Sequence, residues 1–142
     1  MTHTVPDEIR TRLLAVRDNA YVPYSHHPVG AALSTPGGEW FYGCNVEIAN
    51  YKGLCAEASA IAAMVGSGQQ EIDEIYVIGP GEHLCTPCGD CRQRIREFAG
   101  PDTRIDVLDA NGRHLKSYRM DELLPDSFGP ENIGKPSPMS SG

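Results

Sequence analysis

Two helix-like segments of this chain open on cysteine: CAEASAIAAMVGSG from Cys55, and CGDCRQRIREF from Cys88, which follows Thr86-Pro87. A thiol at a helix start lies among free N–H groups and at the positive end of the helix dipole, which favours thiolate over thiol. If both sulfurs serve one ion, the fold must bring two helix N-termini to one point. That requirement constrains the architecture more than any other feature of the chain.

The remaining elements supply a frame for such a meeting. Apolar residues Ile9, Leu13, Val16 and Ala20 recur at helical spacing, predicting an amphipathic helix over Thr4 to Ala20. Two β-like runs, Val29 to Ser34 and Glu39 to Val46, flank a TPGG turn and read as a hairpin. The segment Cys55 to Val65 is small and apolar all round, as a helix packed on two sides is, and GSG ends it. A β-branched run from Ile72 to Gly79 fits a covered central strand, and the loop PGEHLCTP leads into a helix from Cys88 to Phe98. Arg104 to Leu108 reads as a further strand, Asn111-Gly112 as a turn, and MDELL as a short helix before Pro125. The order predicts an α/β fold with a mixed sheet and helices against its faces. With 142 residues the chain reads as one domain over residues 1–128, followed by a Pro-, Gly- and Ser-rich segment, 129–142, expected to be a flexible tail.

Composition narrows the function. A formal charge of -7 without clustered Lys or Arg offers no footprint for nucleic acid, and small neutral substrates fit better. No segment has the apolar length to cross a bilayer, and MTHTVPDEIR has no apolar signal core, so a cytoplasmic location with reduced thiols is expected. Five cysteines in such a chain favour metal ligation or catalysis over a disulfide framework.

The C-x-x-C of Cys88 and Cys91 puts two sulfurs within reach of one ion, and Cys55 supplies a third. Three ligands leave a tetrahedral zinc with an open position, the layout of a catalytic site, at which water loses a proton near neutrality. Glu57, two residues past Cys55, would lie beside that position without ligating and could move protons. Other readings stay open on spacing alone. Cys85 could close the site as a fourth ligand, the C-x-x-C could be a redox dithiol, and Glu57 could simply complement its helix dipole.

Taken together, the motifs AYVPYSHHPVGAAL from Ala20, GCNVE from Gly43, CAE from Cys55, PCGDCRQ from Pro87 and ELLPDSF from Glu122 resemble the small zinc-dependent cytidine deaminases of the homotetrameric kind. The resemblance implies a three-layer α-β-α fold with a five-stranded mixed sheet. It implies one zinc per subunit on Cys55, Cys88 and Cys91, and Glu57 as the proton shuttle. Water activated by the metal would attack C4 of the cytosine ring while Glu57 protonates N3, then carries a proton to the departing amine, giving uridine or 2′-deoxyuridine and ammonia in pyrimidine salvage. Asn45 and Glu47 would bind the ribose hydroxyl, and the backbone at Ala56 and Pro87 would bracket the base. Tyr51 joins the substrate contacts, and Phe128 would reach a neighbouring subunit's substrate.

The chain also departs from that family's pattern. His27 stands where Phe is usual and adds a polar, titratable edge to a substrate contact. Ile48 replaces the usual Asn, and the stretch up to Cys55 is one residue shorter than is common. Ala58 replaces an Arg that offsets thiolate charge, a task for which Arg92 is the candidate here. These departures raise a second substrate class, a modified cytosine nucleoside or nucleoside antibiotic. A zinc-stabilised protein that binds a nucleoside without turning it over is the third reading, and it leaves Glu57 without a task.

Overall fold

The computed structural model describes residues 4–135. Its elements follow the order α1 (Asp7–Asp18), β1 (Gly30–Ser34), β2 (Trp40–Cys44), α2 (Ala56–Gly66), β3 (Ile72–Ile78), α3 (Gly89–Phe98), β4 (Ala99–Leu108), β5 (His114–Arg119) and α4 (Met120–Leu123), with a 3₁₀ turn at Pro130–Ile133. The five strands form one sheet in the order β2-β1-β3-β4-β5. Only the β3–β4 pair is parallel, as expected where α3 forms the crossover between them; the other three pairs are antiparallel. The sheet is therefore mixed, as the element order predicts.

Alternation along the strands sorts side chains between two cores. On one face Ala31, Leu33, Ile75, Val77 and Ile105 pack against Ala56, Ala60, Ile61 and Met64 of α2 and Ile95 of α3. On the other, Ala32, Tyr76, Ile78 and Leu108 receive Val5, Ile9 and Leu13 from α1 and its approach. Strand β1 is buried along its whole length because both layers cover it. No helix among the described residues is long and apolar enough to cross a membrane.

The element limits move for local reasons. Pro6 caps α1, so that helix starts three residues later than the periodicity suggests. Strand β4 begins at Ala99, directly after α3, five residues before the β-branched run that announced it. Asn111-Gly112 turns as expected: Gly112 has φ 82°, and Asp109 Oδ1 accepts from the backbone N–H groups of Asn111 and Arg113. The expected flexible tail opens with the 3₁₀ turn, and Pro130 is buried; residues 136–142 lie outside the described residues.

Gly43 fixes the height of α2 above the sheet. A Cβ there would come within 2.5 Å of the Ala60 nitrogen, 2.7 Å of the Ala56 oxygen and 2.8 Å of the Ser59 Cβ. Two of these atoms are helix backbone and cannot turn aside, so only glycine permits this approach.

The loops entering β1 and leaving β2 are knitted together. Tyr21 pairs with Val46, Val46 pairs with Leu54, and Glu47 Oε1 accepts from the N–H groups of Tyr24 and Ser25, both at 3.1 Å. The Ser25 hydroxyl, helped by those N–H groups, holds the Glu47 carboxyl below the usual carboxylate range.

Two outcomes follow from these contacts. Gly43→Ala should lower stability by about 1–3 kcal/mol, read as a reduced urea midpoint at unchanged slope; an unchanged midpoint would mean that α2 is not held against β2. Glu47 contributes stability fully above its unfolded pKa of about 4.3, and loses it as pH falls through its lower folded pKa. An NMR titration of Glu47 should give a midpoint below that reference value, and a midpoint at or above it would contradict the contact.

Candidate functional site

Cys55 is the N-cap of α2 and Cys88 the N-cap of α3. Each carbonyl accepts the first intrahelical bond, from Ser59 at 3.0 Å and from Arg92 at 2.9 Å. Neither side chain caps its own helix, so both sulfurs remain available to a third party. Cys91, one turn into α3, is fully buried. The sulfurs of Cys55, Cys88 and Cys91 all lie within 4.8 Å of one another. Zinc–sulfur bonds of about 2.3 Å in a tetrahedron set sulfurs about 3.8 Å apart, so this cluster fits that ion with small adjustments. Cys85, the alternative fourth ligand, is outside the cluster. Its sulfur lies 3.8 Å from His27 Nε2 instead.

Burial dominates the electrostatics. It pushes the Cys55 and Cys91 thiols above their ordinary range, and the Glu57 carboxylate adds to both effects. Glu57, only 4% exposed, is itself raised by burial, against the opposing pull of its own backbone N–H and the Cys91 thiol. A buried acid beside three sulfurs is costly unless a cation or a proton balances it. A divalent ion reverses the sign of this environment, since it stabilises thiolates and carboxylate alike.

Cys55, Glu57 and Cys88 share a cavity of about 190 Å³ with His27, Val29, Asn45, Ala56, Cys85 and Thr86. A second cavity, of about 410 Å³, adjoins it through Asn45 and Cys55 and is lined by Glu47, Ile48, Tyr51 and their neighbours. Asn45 links the two structurally: Oδ1 accepts from Val29 N–H at 2.9 Å and Nδ2 donates to the His27 carbonyl at 3.0 Å. Tyr51 has φ 65°, is 84% exposed, and meets Tyr24 edge-on with ring centroids 5.8 Å apart.

Three residues singled out from sequence stand elsewhere. Pro87 is buried next to the cavity, with its carbonyl turned to Arg92 Nε at 2.8 Å. Arg92, the candidate for offsetting thiolate charge, also donates to the Leu123 carbonyl at 3.0 Å and to Thr86 Oγ1 at 3.4 Å. Its hydrogen bonds thus brace the loop before α3 against the end of α4 and reach none of the sulfurs. Phe128 is 61% exposed and does not line the small cavity of its own chain. Conversely, Val29 and Thr86 line that cavity without having been singled out, although Thr86 borders the Pro-Cys-x-x-Cys run.

Comparison with known proteins agrees with this geometry. Residues 6–105 match the cytidine and deoxycytidylate deaminase zinc-binding region. The chain is 36% identical over 118 residues to a cytidine deaminase of Sporosarcina psychrophila, an alignment covering 82% of this chain and 86% of the relative. It is 35% identical over 115 residues to a cytidine deaminase of Mycobacterium tuberculosis, covering 80% and 82%. A crystal structure of cytidine deaminase from Burkholderia pseudomallei superposes with a TM-score of 0.80 at 34% identity, over 88% of this chain and all of that one. A cysteine cluster on two helix N-termini, in a chain that matches the family model over residues 6–105 and superposes on a cytidine deaminase over 88% of its length, places this protein in the zinc-dependent cytidine deaminase family.

Proposed function

We propose that the protein deaminates cytidine and 2′-deoxycytidine hydrolytically, giving uridine and 2′-deoxyuridine with release of ammonia, as a step of pyrimidine salvage. The observation that carries this reading is a buried Glu57 in one small cavity with Cys55 and Cys88, against a three-sulfur cluster. Cys55, Cys88 and Cys91 are the residues that would hold zinc. When bound, zinc supplies Lewis acidity that makes water a nucleophile near neutral pH.

The chain's own residues do the rest. Glu57 takes the proton from the attacking water, delivers one to N3 of the ring, and then serves the departing amine at C4. Its burial excludes bulk water, so the carboxyl exchanges protons with the substrate and not with solvent. The backbone at Ala56, which lines the small cavity, brackets the base together with that at Pro87 beside it, and His27 forms the side wall. Asn45 and Glu47 address the ribose hydroxyl, and Tyr51 borders the sugar side in the larger cavity. Arg92 holds the loop that carries Thr86 and Pro87, which aligns the base and the metal ligands at once.

The active assembly in this reading is a homotetramer with one zinc per subunit, in which Phe128 of one copy reaches the substrate of the next. Its outward exposure supports that role. Five free cysteines suit a reducing compartment, the cytoplasm. A second reading is favoured by one contact: the polar His27–Cys85 pair stands where an apolar wall would suit an unmodified base. Under it the substrate is a modified cytosine nucleoside.

Glu57→Ala should retain zinc and fold while kcat falls at least about 10²–10⁴-fold, because a proton carrier is lost and not a ligand. Metal analysis beside absorbance-monitored turnover checks this; loss of zinc in the variant would overturn the role. Cys55→Ala, or chelation of the wild type, should remove the metal and lower Tm together, since the free energy of metal binding is part of the folding free energy. A substrate panel of cytidine, 2′-deoxycytidine and N4- or sugar-modified analogues separates the two readings. Turnover confined to an analogue would select the second.

A further inference from the structure

Helix α3 carries Cys88 and Cys91 at its start, and farther along it presents Gln93 and Arg96 to the C-terminal segment. Gln93 Nε2 donates to the Phe128 carbonyl at 2.8 Å. Arg96 Nε donates to Ser127 Oγ at 2.6 Å, Nη2 donates to the Ser127 carbonyl at 3.2 Å, and the guanidinium pairs with both carboxylate oxygens of Glu131. The Arg96 side chain is only 5% exposed. Gly129 lies flat against it, with an extended backbone, and a Cβ there would overlap the guanidinium. Asn132 Oδ1 accepts from Gly129 N–H at 2.8 Å, and the 3₁₀ turn follows.

The backbone on both sides of Phe128 is thus fixed by a charge-assisted network centred on the buried Arg96, while the Phe128 ring stands in solvent. This combination is unusual. Burying a guanidinium requires a complete set of acceptors, and a ring whose only task was to fill the core would be turned inward. A fixed frame around an exposed aromatic ring suits an anchor that must arrive at a partner surface in one orientation.

We propose that Arg96, through Glu131 and Ser127, is a positioning residue for substrate binding: it holds the segment Ser127–Glu131 so that Phe128 is presented in a fixed pose to the substrate of an adjacent copy. The inference rests on the reading of Phe128 as a substrate contact and goes beyond it by naming what sets the ring's pose. It also gives α3 two tasks, since one rigid helix then spaces two metal ligands from the anchor offered to a neighbour.

The test is a double-mutant cycle on the full-length, zinc-quantified enzyme with cytidine as substrate. Glu131→Gln removes the charge opposite Arg96, and Arg96→Lys keeps a charge but loses the planar fork, so one reports if the other misfolds. Each should raise KM about tenfold with kcat nearly unchanged, as a misplaced contact does when the chemistry is intact. Phe128→Ala should raise KM at least as much, and adding Glu131→Gln or Arg96→Lys to Phe128→Ala should raise it no further, because both changes act through the same ring. If Phe128→Ala raises KM and the clamp variants lower only Tm, the positioning role is overturned and the Phe128 reading stands. If Phe128→Ala leaves KM unchanged, the Phe128 reading falls and this inference with it. Equal rises in KM from the clamp variants with and without the Phe128 ring would likewise overturn the inference.

Discussion

The meeting of two helix N-termini is the constraint on which the rest of this structure depends. The positive ends of α2 and α3 approach each other closely enough to set the sulfurs of Cys55, Cys88 and Cys91 within 4.8 Å of one another, and their dipoles oppose. Negative charge between them offsets that opposition, by about 1 kcal/mol for each helix end. Cys55 and Cys88 occupy the two capping positions, and Cys91 adds a third sulfur from inside α3. The same feature that makes the approach unfavourable for bare helices therefore makes it suitable for thiolates gathered around a cation.

That meeting point is set from below by packing. Gly43 lets α2 settle onto β2 with no intervening side chain, while Ile61, Met64 and Ile95 fill the space between the helices and the sheet. Crossover through α3 then makes β3 and β4 parallel, which brings the loop containing Cys85 and Thr86 to the same end of the sheet as Cys55. Gly79 is tight against Cys85, whose Cβ and sulfur would lie 2.8 and 2.9 Å from an added Cβ. A backbone without a side chain at the end of β3 is thus what lets Cys85 enter the cavity wall.

Much of this was legible in the sequence because it depends on short-range pattern. Helix α2 announces itself by continuous small apolar residues and its terminal glycine, and the Cys-x-x-Cys spacing fixes two sulfurs on one helix start whatever surrounds them. The destinations of long side chains were not legible. Arg92 follows Cys91 in the chain, which suggested a role toward the thiolates, but its guanidinium reaches back to Pro87 and across to Leu123, thirty-one positions away. Strand β4 begins before its β-branched run because Ala99 pairs with Ile72 of β3, and the irregular stretch before Arg104 is tied together by the Thr103 hydroxyl, which accepts from Gly100 N–H and donates to the Ile72 carbonyl. The Pro- and Gly-rich composition after Phe128 suggested a tail, yet a single buried Arg96 on a distant helix is enough to pin its first turn.

Under the proposed function, Asn45 and Glu47 carry two loads, and their chemistry allows it. Glu47 uses Oε1 to hold the Tyr24–Ser25 turn, but an ionised carboxylate offers about four lone-pair sites, so capacity remains for a sugar hydroxyl. Asn45 accepts through Oδ1 and donates one Nδ2 hydrogen, which leaves a second hydrogen for a ligand. Because each side chain is already tethered to the loop it supports, binding a nucleoside requires little further loss of rotamer freedom. The His27 backbone is held by that same Asn45 and by Ser25, so the residue that departs from the family's aromatic is set in place by the sugar-binding pair. Substrate choice at the base and grip on the sugar are therefore physically coupled, and a change at position 27 should be felt at both.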